Sequence, residues 1–266
     1  MGASERTLML PRAELQGVGR VDTPRGPVIV WGARRPGADR PSEDSALIHH
    51  DGDTLVMAVA DGAGGHALGG EASEAAVRAI AWTLESGEGD IRDRIRRARI
   101  EAVDAVARLG EEAITTVALT LIHENEVRTW HAGDSTILLT GQRGRRKLRT
   151  TDHTVPGLEA AAGRMTLDEA RAHEERHLLV NALGTEEVGW ETVGPVPFAA
   201  RDTLLLATDG LFDNLSDDEI VAFVRSGPLE DGIRALVERN HARMFEDQGP
   251  WPGKPDDVVV LAHRPT

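Results

Sequence analysis

The sequence predicts an α+β protein in which antiparallel sheets and helices form separate layers. Three observations carry this. Strand patterns and helix patterns arrive in blocks rather than in the strict alternation of a parallel sheet. The apolar runs LVMAVA at 55–60, TLLLA at 203–207 and VVVLA at 258–262 are too short for helices and rich in residues that suit buried strands. Two longer segments between residues 71 and 109 instead space their apolar residues for helices.

With 266 residues, of which 40% are hydrophobic, the chain is long enough for one large domain with a real core. The formal net charge of −14 argues against nucleic acid or an anionic membrane as partner. There is no cysteine, which excludes disulfides, thiolate zinc sites and a cysteine nucleophile. Lysine occurs only at Lys147 and Lys254. The opening residues lack the apolar core of a secretory signal, and no stretch has the length of a transmembrane helix. A cytoplasmic protein is expected.

In chain order, residues 1–27 read as a polar, partly extended N-terminal extension with Pro11, Pro24 and Pro27. Val28–Gly32 is a strand. RRPGADRPS at 34–42 is a loop by its glycine and prolines. SALIHH at 45–50 is a strand, and Asp51-Gly52-Asp53 is a hairpin turn into the strand at Leu55. Glu71–Leu84 and Ile91–Leu109 are helices, the second presenting Ile91, Ile95, Ala98, Ala102, Val103 and Val106 on one face with its arginines in solvent. Thr115–His123 and Val127–Ala132 form a hairpin about Glu124-Asn125. Ser135–Thr140 and Lys147–Thr151 form another about a basic turn.

Thr154–Gly163 reads as a loop with a short alanine-rich piece. Leu167–His173 is a short helix in which Thr166 and Glu169 form a capping box. Leu178–Leu183 and Glu191–Pro197 flank a further loop. A strand at 203–208 is followed by a helix from Asp217 to Arg225 capped by Ser216, a helix from Glu230 to Phe245, a loop at Pro250–Pro255, and the last strand, Val258–His263.

The chemistry concentrates at strand ends. LVMAVADGAGGH ends its apolar run on Asp61-Gly62, and TLLLATDGLFD does the same on Asp209-Gly210. VRTWHAGDS ends at Asp134, and Asp256-Asp257 stands directly before VVVLA. One such segment is an ordinary strand and glycine turn. Four carboxylate sites beside four strands are a recurring device, and packed without cations they would repel and resist ionising. Clustered acids of this kind hold metal.

The ordered motifs RPSED at 40–44, DGAGGH at 61–66, TT at 115–116, GDS at 133–135, NALG at 181–184, DGLFD at 209–213 and DDVVV at 256–260 resemble the metal-dependent serine/threonine phosphatases of the 2C type, in their bacterial form. The resemblance runs from about residue 28 to 263. It implies a four-layer α/β/β/α sandwich, with residues 28–266 as a single catalytic domain. The implied activity is hydrolysis of phosphoserine and phosphothreonine by direct attack of a metal-bridging water. It implies two core Mg2+ or Mn2+ ions and leaves room for a third. In this resemblance Asp61 bridges the two ions, the Gly62 carbonyl binds one, and Asp209 and Asp256 bind the other. Glu43 holds the second ion through water, Asp44 and Asp213 orient coordinated water, and Asp134 helps hold the third ion. Asp257 is not a direct ligand.

The family's phosphate-binding arginine matches Arg40, although it stands three rather than four residues before Glu43; Arg34 and Arg35 are alternatives. The position of the histidine proposed as general acid in eukaryotic members is Ala63, so the proton donor stays unassigned. His66 is expected to pack at the start of the next helix, and His153 and His177 to lie in loops near the substrate. Residues 154–180 correspond to a mobile flap that helps select substrate. The partners implied are phosphorylated proteins, including a serine/threonine kinase or its targets, and the protein itself is expected to be a monomer. Two other functions fit a chain of this kind: a non-catalytic phosphatase-like binding module, and a two-metal hydrolase of small phosphoesters.

Hard oxygen donors that leave room for water suit Mg2+ and Mn2+ better than zinc. Two such ions can acidify a water and neutralise phosphoryl oxygens. Phosphoryl transfer asks mainly for positioning and charge stabilisation.

Overall fold

The computed structural model describes residues 6–63, 68–246 and 249–265. Strands β1 (Thr7–Leu10), β2 (Gly19–Thr23), β3 (Gly26–Ala33), β4 (Asp44–Asp51) and β5 (Thr54–Asp61) come first. Helices α1 (Gly69–Glu85) and α2 (Ile91–Ala107) follow. Then come β6 (Val117–His123), β7 (Glu126–Ala132), β8 (Thr136–Thr140) and β9 (Arg146–Arg149). Next in the chain are α3 (Val155–Ala161) and α4 (Leu167–Ala172). The chain closes with β10 (Glu191–Pro197), β11 (Thr203–Ala207), α5 (Asp209–Phe212), α6 (Asp217–Val224), α7 (Leu229–Arg243) and β12 (Val258–His263).

The strands form two antiparallel six-stranded sheets, in the orders β1-β4-β5-β6-β7-β10 and β2-β3-β12-β11-β8-β9. Alternation of side chains along each strand builds the layers. In β5, Leu55, Met57 and Val59 pack between the sheets with Leu204, Leu206, Val259 and Leu261 of the other sheet. Val56, Ala58 and Ala60 face outward against α1 and α2, beside Ala76, Ile80, Ile95 and Ala98. On the second sheet, Leu205, Ala207 and Val260 face α5–α7 through Leu211, Ile220 and Leu236. This is the expected α/β/β/α sandwich, and β5 is buried on both faces as its sequence requires.

Four expectations need correction. The N-terminal residues supply β1, paired to β4, and β2, paired to β3, so they are edge strands of the two sheets. Their few apolar residues suffice because an edge strand buries only part of its surface. The alanine-rich piece after Thr154 is a helix, α3, whose N-terminus Thr154 caps by accepting from Gly157 N–H. Helix α5 was hidden because its four residues carry no helical period. Among the arginines of α2, Arg94 is buried: it donates to Leu84 O at 2.9 Å and pairs with Asp51 at 3.3 Å.

Candidate metal centre

Strand geometry aims the acids. Asp61 ends β5 and lies opposite Asp44, the first residue of β4. By alternation both belong to the faces that look into the gap between the sheets, the same faces as Met57 and Val59 in β5 and Ala46 and Ile48 in β4. Across the gap, β11 ends at Ala207, and Thr208 Oγ1 donates to Asp44 Oδ2 at 2.7 Å. Asp209 then opens α5. Because β12 runs antiparallel beside β11, its preceding residues Asp256 and Asp257 return to the same end. Asp134 does not end β7, as its sequence suggests. The strand stops at Ala132, and Gly133, with φ +106°, turns the chain so that Asp134 faces the acids. Only glycine fits there, since a Cβ would lie 2.5 Å from the Thr116 side chain.

One cleft of about 800 Å³ is lined by Arg40, Glu43, Asp61, Gly62, Asp134, Asp209 and Asp256. Asp213, at the end of α5, lines a smaller cavity that also touches Asp134 and Asp209. Asp44 is buried beneath, with its Oδ1 lacking a hydrogen-bond partner among the described residues. A Cβ on Gly62 would overlap the backbone of Gly69, so this position admits no side chain.

Arg40 Nη2 lies 3.0 Å from Glu43 Oε2, and its Nη1 lies 3.1 Å from Asp257 Oδ2. Asp257 also accepts from the backbone N–H of Arg35 at 2.5 Å and of Glu43 at 2.9 Å. It therefore anchors the arginine loop to the start of β12. Arg35 also lines the cleft, whereas Arg34 is drawn toward Glu14, 3.9 Å away.

The electrostatics follow from burial and crowding. Burial, then the charges of Asp44, Asp209, Asp256 and Asp134, push the Asp61 carboxyl well above the usual carboxylate range. Burial and the charges of Asp209 and Asp213 do the same to Asp134. Asp44 is raised by burial, only partly offset by Thr208. Asp256 is pushed up to about 6, chiefly by burial and by Asp209. Asp209 is the exception: burial raises it, but the Lys254 ammonium overrides this and holds it below its ordinary value.

Lys254 is the functional residue that sequence reasoning missed. Its Nζ stands 2.5 Å from Asp209, 2.9 Å from Asp213 and 3.0 Å from Asp256. The available signal was a rare lysine two residues before Asp256. One histidine is corrected. His153 is buried rather than free in a loop; it stacks on His131 with ring centroids 4.5 Å apart. Its Nδ1 accepts from Gly133 N–H at 3.1 Å, which puts the ring proton on Nε2, facing Glu191 at 3.3 Å. His131, His153 and Glu191 are the one metal-sized His/Asp/Glu trio, with ligand atoms within 4.8 Å of one another, among the described residues. That tautomer leaves His153 no lone pair toward the trio, which is a hydrogen-bonded brace. His177 is exposed and lines the cleft as expected. His66 lies outside the described residues.

The donor set fits hard divalent cations. It consists of carboxylates and one backbone carbonyl, it resists holding all its negative charge unaided, and it already gathers three acids around an ammonium. Comparison with known proteins agrees. Residues 31–244 match the family described as Protein phosphatase 2C. Protein phosphatase PhpP of Streptococcus pneumoniae is 30% identical over 200 residues, covering 71% of this chain and 80% of that protein. Serine/threonine phosphatase stp of Listeria monocytogenes is 30% identical over 232 residues, covering 83% and 88%. The catalytic domain of serine/threonine protein phosphatase PstP, solved in complex with two manganese ions, superposes with a TM-score of 0.68 at 25% identity, covering 88% of this chain and 96% of that one. On the motif order, the two-sheet sandwich and these matches together, this chain belongs to the protein phosphatase 2C family.

Proposed function

We propose that this protein is a Mg2+- or Mn2+-dependent phosphoprotein phosphatase that hydrolyses phosphoserine and phosphothreonine in the cytoplasm, within a catalytic domain that runs from residue 28 to the last strand and takes in the edge strands β1 and β2 before it. The observation that carries this is the convergence of Asp61, Asp134, Asp209 and Asp256, which end or flank four different strands, on one cleft. Bound there, the divalent ions would supply an acidified water and neutralise the phosphoryl charge. Asp61 would bridge two ions with the Gly62 carbonyl as a further ligand, and Asp209 and Asp256 would hold one of them. Glu43, Asp44 and Asp213 would accept hydrogen bonds from coordinated water and fix its direction.

Arg40 is suited to the phosphate. Its guanidinium is held on the cleft wall by Glu43 and Asp257, both of which keep it charged. From there it could present a second N–H pair to two phosphoryl oxygens. The proposed flap lends His177 and Leu178, both exposed, to the cleft lining, where they would meet the chain around the phosphorylated residue. No helix among the described residues is long and apolar enough to cross a membrane.

The test is hydrolysis of an aryl phosphate and of a phosphothreonine peptide, each with Mn2+ and with excess chelator. Activity on both with Mn2+, abolished by chelator, is expected. Full activity in chelator would overturn the metal reading, and hydrolysis of the aryl ester alone would point to small phosphoesters instead.

A second result separates Asp134 from the core pair. Asp134→Ala should keep two tight Mn2+ sites in calorimetry, because Asp61, Gly62, Asp209 and Asp256 remain. Single-turnover rate should fall by about 10–100-fold or more, the range typical of groups that support a metal site from outside. Loss of a tight site would make Asp134 a core ligand, and an unchanged rate would make it structural only.

A further inference from the structure

Lysine occurs twice in this chain, and one of the two stands inside the carboxylate cluster. The Lys254 ammonium touches Asp209, Asp213 and Asp256 at 2.5, 2.9 and 3.0 Å. Asp209 and Asp256 are the two acids proposed to hold one ion, and Asp213 the acid proposed to orient its water.

The backbone fixes this placement. Lys254 N–H donates to Asn214 Oδ1 at 2.9 Å, and Asn214 Nδ2 donates back to Lys254 O at 2.9 Å. The same amide nitrogen also reaches Gly210 O at 2.9 Å. Asn214 is buried and follows Asp213 directly, so the lysine backbone is tied to the turn that carries Asp209 and Asp213. Trp251 Nε1 donates to Asp213 O at 2.7 Å and holds the approaching loop to that turn as well. The ammonium is thus delivered to the acids by a built connection rather than by a free side chain wandering in solvent.

An oxygen that accepts from the ammonium has that lone pair engaged and is less available to a divalent ion. The two cations want the same acids, and they cannot share closely because like charges at that distance repel strongly in a poorly hydrated site. We infer that Lys254 is a tethered competitor of the divalent cation at the Asp209–Asp256 position, so that metal binding there exchanges one cation for another. The inference rests on the metal-centre reading above. It makes the apparent affinity at this position weaker than the carboxylates alone would give, reduced to the fraction of time the ammonium is unseated. It also explains how the chain folds acids this crowded: the ammonium neutralises part of their charge until a stronger cation arrives.

The test uses the whole chain. With 15N-labelled lysine the protein gives two Nζ signals, and Lys254→Met assigns them by removing one. Saturating Mg2+ should shift the Lys254 signal markedly and leave that of Lys147, paired with Asp202 at 2.7 Å, in place. Calorimetry with Mn2+ alone should show this site tightened at least about tenfold in Lys254→Met, the gain expected when a seated competitor is removed. Lys254→Arg, which keeps the charge, should bind like the parent. An unmoved Lys254 signal in parent protein that binds metal would overturn the inference, as would equal or weaker Mn2+ binding by Lys254→Met. If neither parent nor Lys254→Met binds Mn2+, the metal-centre reading fails and this inference fails with it.

Discussion

Asp209→Asn should remove nearly all turnover, by more than about 100-fold, since groups merely supporting a metal ligand are already worth about 10–100-fold. The fold should survive. Asparagine has the same shape, and the backbone bond from Asp213 N–H to the carbonyl of residue 209 is unaffected. What is lost is a negative charge that burial would suppress but that Lys254 keeps ionised. The ammonium retains Asp213 and Asp256, so the substitution leaves no buried cation unpaired. Single-turnover hydrolysis of a phosphothreonine peptide measures the chemical step, calorimetry counts the ions, and a thermal melt checks the fold. A variant that binds metal and turns over like the parent would remove Asp209 from the ligand set.

Asp217→Ala, at the first residue of α6, should destabilise the fold by about 3 kcal/mol, the low end of what breaking a buried ion network costs. Asp217 is 2% exposed and faces three guanidiniums: Arg146 at 3.1 Å, Arg149 at 3.1 Å and Arg171 at 2.7 Å. Its carboxyl is raised by burial, but Arg149 and Arg171 more than compensate and hold it below its ordinary value. Removing it strands charges that burial makes costly. The low end applies because Arg149 keeps Asp152 at 3.0 Å and Arg171 keeps Asp168 at 2.8 Å. The network matters to the site, since Arg171 on α4 also donates to Phe212 O at 2.8 Å and so ties α4 to α5, beside Asp209 and Asp213. A drop in Tm of about 6–12 °C is expected at 2–4 °C per kcal/mol. Asp218→Ala, one residue on and well exposed, is the control and should leave the Tm unchanged. A melt for Asp217→Ala that matches this control would show that the network contributes nothing.

Several elements could be read from residues alone because their physics is local. Alternation and apolar runs marked β5, β11 and β12, since a strand buried on both faces must be apolar at every position. Thr166 with Glu169 and Ser216 alone marked the starts of α4 and α6; both form capping boxes, the second completed by Glu219. Glu124-Asn125 marked its hairpin, and both residues adopt positive φ. The edge strands β1 and β2 escaped because half-exposed strands need no apolar pattern. Helix α5 escaped because four residues are too few to show a period.

For the centre itself, the sequence determined which acids stand beside strands, that no thiol competes, and which motif order the chain carries. It could not determine where those acids meet. That depended on β11 and β12 pairing antiparallel, on Asp44 and Asp61 falling opposite each other in register, and on Gly133 turning Asp134 inward after β7 had already ended. Lys254 makes the same point most sharply. In sequence it is a lone basic residue in a proline-rich loop. Only the Asn214 bonds, formed across 40 residues, bring its ammonium among three acids, because long-range hydrogen bonds, unlike helix periods or strand alternation, leave no local pattern.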